Sequence, residues 1–177
     1  DDLADTTKEF SRIILASPSL TPAVTVYARI GSSLPSAFRG DKATAAKRYA
    51  ELAESQAAGY GSHAGVPAGR ILGFLANTLG RSDQAAAHFE YGLIFCRTGG
   101  YEAALASTCY DYAAALLHPL IGSLPAGKDT RIKATSLGDE VLAISEDLGI
   151  IHLAERTIPS KSMRRFDSGP GLPTQTA

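Results

Sequence analysis

The residues Leu72, Gly73, Ala76, Gly80, Ala85, Phe89 and Gly92 leave few options for the chain that carries them. Apolar and small positions recur at spacings of three and four on both sides of a glycine break. That is the mark of two amphipathic helices joined by a tight turn. In such a hairpin Gly73 lets the second helix approach the first closely, and Gly80 breaks the chain at the turn. Ala85 is small where the helices cross, Phe89 fills the space beyond it, and Gly92 is small where the next hairpin packs. The arrangement returns downstream with Tyr112, Ala113, Leu116, Ala134 and Val141, and upstream with Ile30, Gly31, Leu34, Ala45, Tyr49 and Leu52. Gly73 to Ala85 is 12 residues, Ala113 to Ala134 is 21, and Gly31 to Ala45 is 14. The nine-residue loop 119–127 accounts for the longest spacing and a two-residue insertion for the other. A single hairpin cannot bury its apolar face, so three in series are expected to stack into one continuous core.

The expected fold is therefore all-α, a right-handed α-solenoid of antiparallel hairpins with about seven or eight helices. Composition agrees: the chain holds 29 Ala and 19 Leu but only 4 Val, a bias toward helix over strand. The first helix is predicted over Leu3–Ser17, with Phe10, Ile13 and Ile14 on one side. Thr21-Pro22 starts the second, which Pro35 stops after Leu34. Asp41 caps the third, ending near Gly59. After the loop Gly59–Gly65, a helix runs from Pro67 to Gly80. Ser82 caps the next, which ends at Gly99-Gly100. Further helices are predicted over Tyr101–His118, Asp129–Leu148 and Ile150–Thr157. The repeat domain spans 1–157, with hairpins at 22–58, 66–98 and 101–148, and 158–177 reads as a disordered tail. No stretch alternates with turn pairs, so no sheet is expected.

Charge and length exclude several function classes. Lys plus Arg is 17 and Asp plus Glu is 18, a net charge of -1. Direct nucleic-acid binding is not expected from that balance. The longest uncharged stretches, Ile13–Ala28 and Tyr112–Gly127, are 16 residues and contain Pro, short of the roughly 20 apolar residues of a membrane span. No basic patch precedes an apolar run at the N-terminus, so the expected location is cytoplasmic. The chain begins Asp1-Asp2 without an initiator Met, and is expected to be an excised piece or a processed product of a longer protein.

The run LGFLANTLGRSDQAAAHFEYGLIFCRTGGYEAALASTCYDYAAALL, supported by DEVLAISEDLGI, resembles a tetratricopeptide (TPR) array. More narrowly, it is similar to the long-period TPR-like region at the C-terminal end of large bacterial signalling proteins. Those proteins join a nucleotide cyclase or a DNA-binding domain to an ATPase module. The resemblance covers about Val24 to Arg156. It implies a regulatory domain in signal transduction whose catalytic output, if any, lies elsewhere in the parent chain. The sequence departs from the standard unit at Gly69, where a large aromatic is usual, at Arg97, where a Pro closes the unit, and at Gly138.

Residues able to carry chemistry are scattered. The loop Gly59–Gly65 lacks the Lys-Ser/Thr of a phosphate loop. Cys96 and Cys109 lie on successive helices and read as buried structural thiols; no CxxC or HExxH marks a metal. His63 and His152 read as loop or surface residues. Asp111, between Tyr110 and Tyr112, must be solvent-facing or satisfied by a partner. No GxSxG elbow supports a hydrolase. No catalytic residue, metal or cofactor is expected.

The leading expectation is a non-catalytic protein–protein interaction module. Its partner would be a protein or peptide, or other domains of the parent chain. Arg70, Asn77, Tyr110 and Asp111 are the candidate contact residues, being polar or aromatic members of the first helices of their hairpins. A small-molecule sensor with a pocket lined by Phe74, Tyr110 and Tyr112 is the alternative. An enzyme would have to draw on Asp111, Cys109 and His118. A homo-oligomer joined through an uncapped end hairpin is a further expectation.

Overall fold

A computed structural model describes residues 2–19, 21–63, 65–117 and 127–162. Among them are eight helices: α1 (Asp2–Leu15), α2 (Pro22–Phe38), α3 (Lys42–Ala57), α4 (Ala68–Thr78), α5 (Ser82–Gly99), α6 (Glu102–Leu117), α7 (Lys128–Leu148) and α8 (Ile151–Ser162). The chain is all-α apart from one small ladder. Each helix packs on its neighbour in the sequence, and α4 also touches both α2 and α6. Two apolar clusters result. Ile71, Leu72 and Leu75 of α4 join Ile30, Ala45 and Leu52 of α2 and α3. Phe89, Leu93 and Cys96 of α5 join Cys109, Tyr112, Leu137 and Val141 of α6 and α7. Phe74 packs against both.

Local chemistry explains four of the helix ends. Thr21 caps α2 by accepting from the Val24 amide, and Asp41 caps α3 by accepting from Thr44 N at 3.1 Å and Thr44 Oγ1 at 2.7 Å. Gly100 and Gly149 close α5 and α7 in the left-handed conformation.

Four expectations are corrected. Pro35 does not stop α2, which continues to Phe38. A proline inside a helix removes its own amide bond to the carbonyl four residues back and crowds that carbonyl with its ring, which bends a helix without having to end it. Here the Ser32 and Ser33 hydroxyls donate to the Arg29 carbonyl at 2.9 and 2.7 Å, and the Ser36 hydroxyl to that of Ser32, tying the turns around the break. Ser82 is the first residue of α5 rather than its cap; Arg81 holds the cap position and no side chain bonds there. A sheet exists, though of two residues per strand. β1 (Ser62–His63) pairs antiparallel with β2 (Val66–Pro67), too short a ladder to show alternation in a sequence. It buries His63, which is 5% exposed and not a surface residue. Finally, α8 runs five residues past Thr157 and through Pro159 to Ser162. The rest of the expected tail, 163–177, lies outside the described residues, as do His118 and positions 119–126 of the loop.

Three glycines of the middle hairpin stand at close contacts. A Cβ on Gly73 would stand 2.8 Å from the Phe89 ring, so that ring occupies the space glycine leaves. A Cβ on Gly92 would stand 3.2 Å from Arg70 N and 3.4 Å from Thr108 Cγ2, so it is pinched between α4 and α6. Gly69 is tighter still. Its Cβ would lie 2.3 Å from the His88 carbonyl oxygen and 2.6 Å from Gly92 N. The aromatic usual at this place has no room because the α4 and α5 backbones touch there. Gly31 faces α1 rather than Ala45; its nearest neighbour is Ser11 Oγ.

That contact reveals an inverted helix. α1 turns Ser11, 4% exposed, toward α2, while Phe10 and Ile13 stand 62% and 53% exposed. Lys8 pairs with Asp41 at 3.1 Å, and Asp5 pairs with Arg39.

Candidate functional site

α4 packs against both α2 and α6. Arg70 and Asn77 belong to α4, Tyr110 and Asp111 to α6. The structure brings two of the four together. Arg70 Nε donates to Asp111 Oδ2 at 2.5 Å. Asp111 is 6% exposed, so this mid-helix carboxylate is satisfied inside the protein and ties α4 to α6. It does not present a free surface charge. Arg70, Asn77 and Tyr110 are half-buried and keep part of their surface in solvent.

The proposed ligand pocket does not form from Phe74, Tyr110 and Tyr112. Tyr112 is 3% exposed and stacks on Phe89, with centroids 4.9 Å apart and planes 12° apart. Phe74 meets Phe89 edge-on at 5.8 Å. These rings fill the core instead of lining a cavity. Beyond them Lys133 Nζ sits 5.2 Å from the Tyr112 centroid and pairs with Glu90. Burial, and then the nearby Glu90 carboxylate, raise the Tyr112 pKa above its usual value.

Cys96 and Cys109 are buried free thiols, as expected. The Cys109 thiol donates to Glu140 Oε2 at 3.4 Å, and Arg97 grips the same carboxylate twice, Nε to Oε1 at 3.1 Å and Nη2 to Oε2 at 2.7 Å. Burial, reinforced by the Glu140 charge, pushes the Cys109 pKa far upward. Burial likewise raises that of Cys96. Both are held as neutral thiols, a poor state for a nucleophile. Arg97, at the place of a closing proline, instead joins α5 to α7.

A second polar node crosses from α3 to α5. Tyr49 Oη and His88 Nε2 are 2.8 Å apart, and the Arg81 guanidinium lies 5.3 Å from the Tyr49 ring centroid. Burial lowers the pKa of His88, and that of His63 as well. His63 Nε2 is buried without a hydrogen-bond partner.

Sequence reading missed a cation-rich groove of about 1030 Å³ between α1, α2 and α3. Its signal was present in the spacings. Thr25, Arg29 and Ser32 fall on one face of α2, and Thr44, Lys47, Arg48 and Glu51 on one face of α3. Among the described residues, no group of three or more His, Cys, Asp or Glu is placed to hold a metal, and no helix is long and apolar enough to cross a membrane. No family model matches the chain, and neither the curated proteins nor the solved structures yield a match.

Proposed function

We propose that this chain is a non-catalytic interaction and regulatory module built as a TPR-like, right-handed α-solenoid. The observation that carries the reading is the contact of α4 with both α2 and α6. When alternate helices touch as well as consecutive ones, hairpins are stacked and their first helices share one continuous face. Such a face presents side chains from several hairpins to one extended partner. Arg70, Asn77 and Tyr110 stand on it as polar and aromatic members with solvent access, the residue types that anchor interfaces. Asp111 positions Arg70 by pairing with it.

The partner in this reading is a protein or peptide, or another domain of a larger bacterial signalling protein with an ATPase module and a cyclase or DNA-binding output. The parent context rests on the ANTLGRSDQAAAHFE and CYDYAAALL stretches. The exposed Phe10 and Ile13 favour association through the α1 end as a second mode, with another copy as partner. Sedimentation of a strict monomer at high concentration would remove that mode.

A photo-crosslinking residue placed at Asn77 tests the main reading. The expected adduct is with one defined protein or parent-chain domain, and it disappears in an Arg70→Ala, Tyr110→Ala variant that still folds. Equal adduct formation from Ser136 on α7 would sink the assignment of this face.

A further inference from the structure

The groove between α1, α2 and α3 holds an imbalance of charge at its centre. Two guanidiniums there meet one carboxylate. Arg48 Nη1 donates to Glu51 Oε2 at 2.6 Å, and Arg29 Nε stands 3.4 Å from the same oxygen. That oxygen is already engaged, and the buried Arg29 Nε has no hydrogen-bond partner. Ser32 fixes the geometry. Its hydroxyl accepts from Arg48 Nε at 2.7 Å and donates to the Arg29 carbonyl at 2.9 Å. Lys47 lines the same α3 wall, exposed, and makes no ion pair among the described residues.

The rim is balanced by contrast. Arg12 is held by both oxygens of Glu9, Lys8 by Asp41, and Asp5 by Arg39. The centre therefore keeps three cations against one anion, in a chain whose net charge is -1. Arg48 is only 11% exposed at its side chain and Arg29 32%. Partly desolvated like charges repel more strongly than they would in water, and an arriving anion relieves them.

We propose that this groove binds a small organic phosphate ester. Its dianionic head sits among Arg29, Lys47 and Arg48, and its organic part lies toward Leu15, Ala16 and Ala43 on the groove wall. A phosphate monoester carries about two negative charges at pH 7, which matches the excess. Planar guanidinium forks suit its oxygens, with the ammonium as an added point charge. The groove is far larger than one phosphate and of the size that holds whole small ligands, about 300–1000 Å³. The site is distinct from the α2–α4–α6 face, and it stands if the interaction reading fails.

Calorimetric titration of the whole chain at 0.15 M salt tests it, with glycerol 3-phosphate, glucose 6-phosphate and AMP as probes and inorganic phosphate and succinate as comparators. At least one ester is expected to bind saturably at one site, more tightly than inorganic phosphate and at least tenfold more tightly than succinate. Lys47→Gln, an exposed change that does not endanger the fold, and Arg29→Gln should each weaken that ester at least tenfold with helical circular dichroism unchanged. Lys128→Gln on α7 should leave it unaltered. Absence of saturable binding by all three esters, equal affinity for succinate or inorganic phosphate, or full affinity in Lys47→Gln would each overturn the proposal.

Discussion

Gly69 lies directly against the backbone carbonyl of His88: a Cβ at position 69 would stand 2.3 Å from that oxygen. The obstacle is backbone on a packed helix, so no side-chain rotation relieves it. Gly69→Ala is expected to destabilise the fold by about 1–3 kcal/mol through overpacking. Ser136→Ala, an exposed change on α7, should change stability by less than about 0.5 kcal/mol. Urea unfolding of the two variants checks the contrast, and equal midpoints would refute the contact.

Phe89 is the central ring of the core, edge-on to Phe74 and stacked on Tyr112. Phe89→Ala should lose about 3–5 kcal/mol. Gly73→Ala alone should also destabilise, because its new methyl meets the Phe89 ring. In a Phe89→Leu background the same methyl meets a smaller neighbour, so the two changes should combine less than additively. A double-mutant cycle giving strict additivity would show that the ring and the glycine do not share one space.

Arg70 and Asp111 are expected to behave as a buried pair. Arg70→Ala removes the cation paired with a carboxylate that is only 6% exposed. The loss should fall near the lower end of the about 3–5 kcal/mol typical of such breaks, since Arg70 keeps some solvent. Adding Asp111→Asn should recover part of it by removing the buried charge that Arg70 balanced. If the double variant is the less stable one, the pair is not the tie described.

Stability should fall between pH 7 and pH 5. Burial holds the folded pKa of His88 and His63 below the usual 6.5, so in that window the unfolded chain binds protons that the folded chain does not. Their contribution is complete above about pH 6.5 and fades as pH drops through the folded values. The urea midpoint, followed from pH 7.5 to 5, should decline, and His88→Gln should flatten the slope. A midpoint that rises on acidification would contradict the burial of both rings.

The two thiols should be silent to Ellman's reagent at pH 8 in the folded chain and react promptly in denaturant. Their burial and raised pKa values remove both access and thiolate. Prompt labelling of either cysteine without denaturant would count against the Cys109–Glu140–Arg97 node.

The helices themselves were legible because each depends on residues close in sequence: Thr21 and Asp41 as caps, Gly100 and Gly149 as ends, and apolar stripes between them. What failed depended on distant neighbours. Pro35 sits inside α2, which packs on α1, α3 and α4, and the buried His63 lies in a two-residue ladder whose pairing no local pattern announces. Gly69 read as a departure until the His88 carbonyl supplied its reason. At the candidate face, sequence placed Arg70 and Asp111 on the right helices, but only the packing of α4 on α6 showed that they answer each other. The alternative reading set Tyr112 on a pocket wall, yet its ring is stacked on Phe89 in the core.

The inverted packing of α1 gives the two ends of the molecule different sensitivities to their surroundings. The middle hairpin is joined by rings and close backbones, which ionic strength scarcely touches. α1 turns Ser11 inward, leaves Phe10 and Ile13 outside, and reaches α2 and α3 through the Lys8–Asp41 and Asp5–Arg39 pairs. Raising salt weakens those pairs and at the same time favours covering the two exposed apolar side chains. Salt concentration should therefore bear on the packing of α1 more than on that of the middle hairpin.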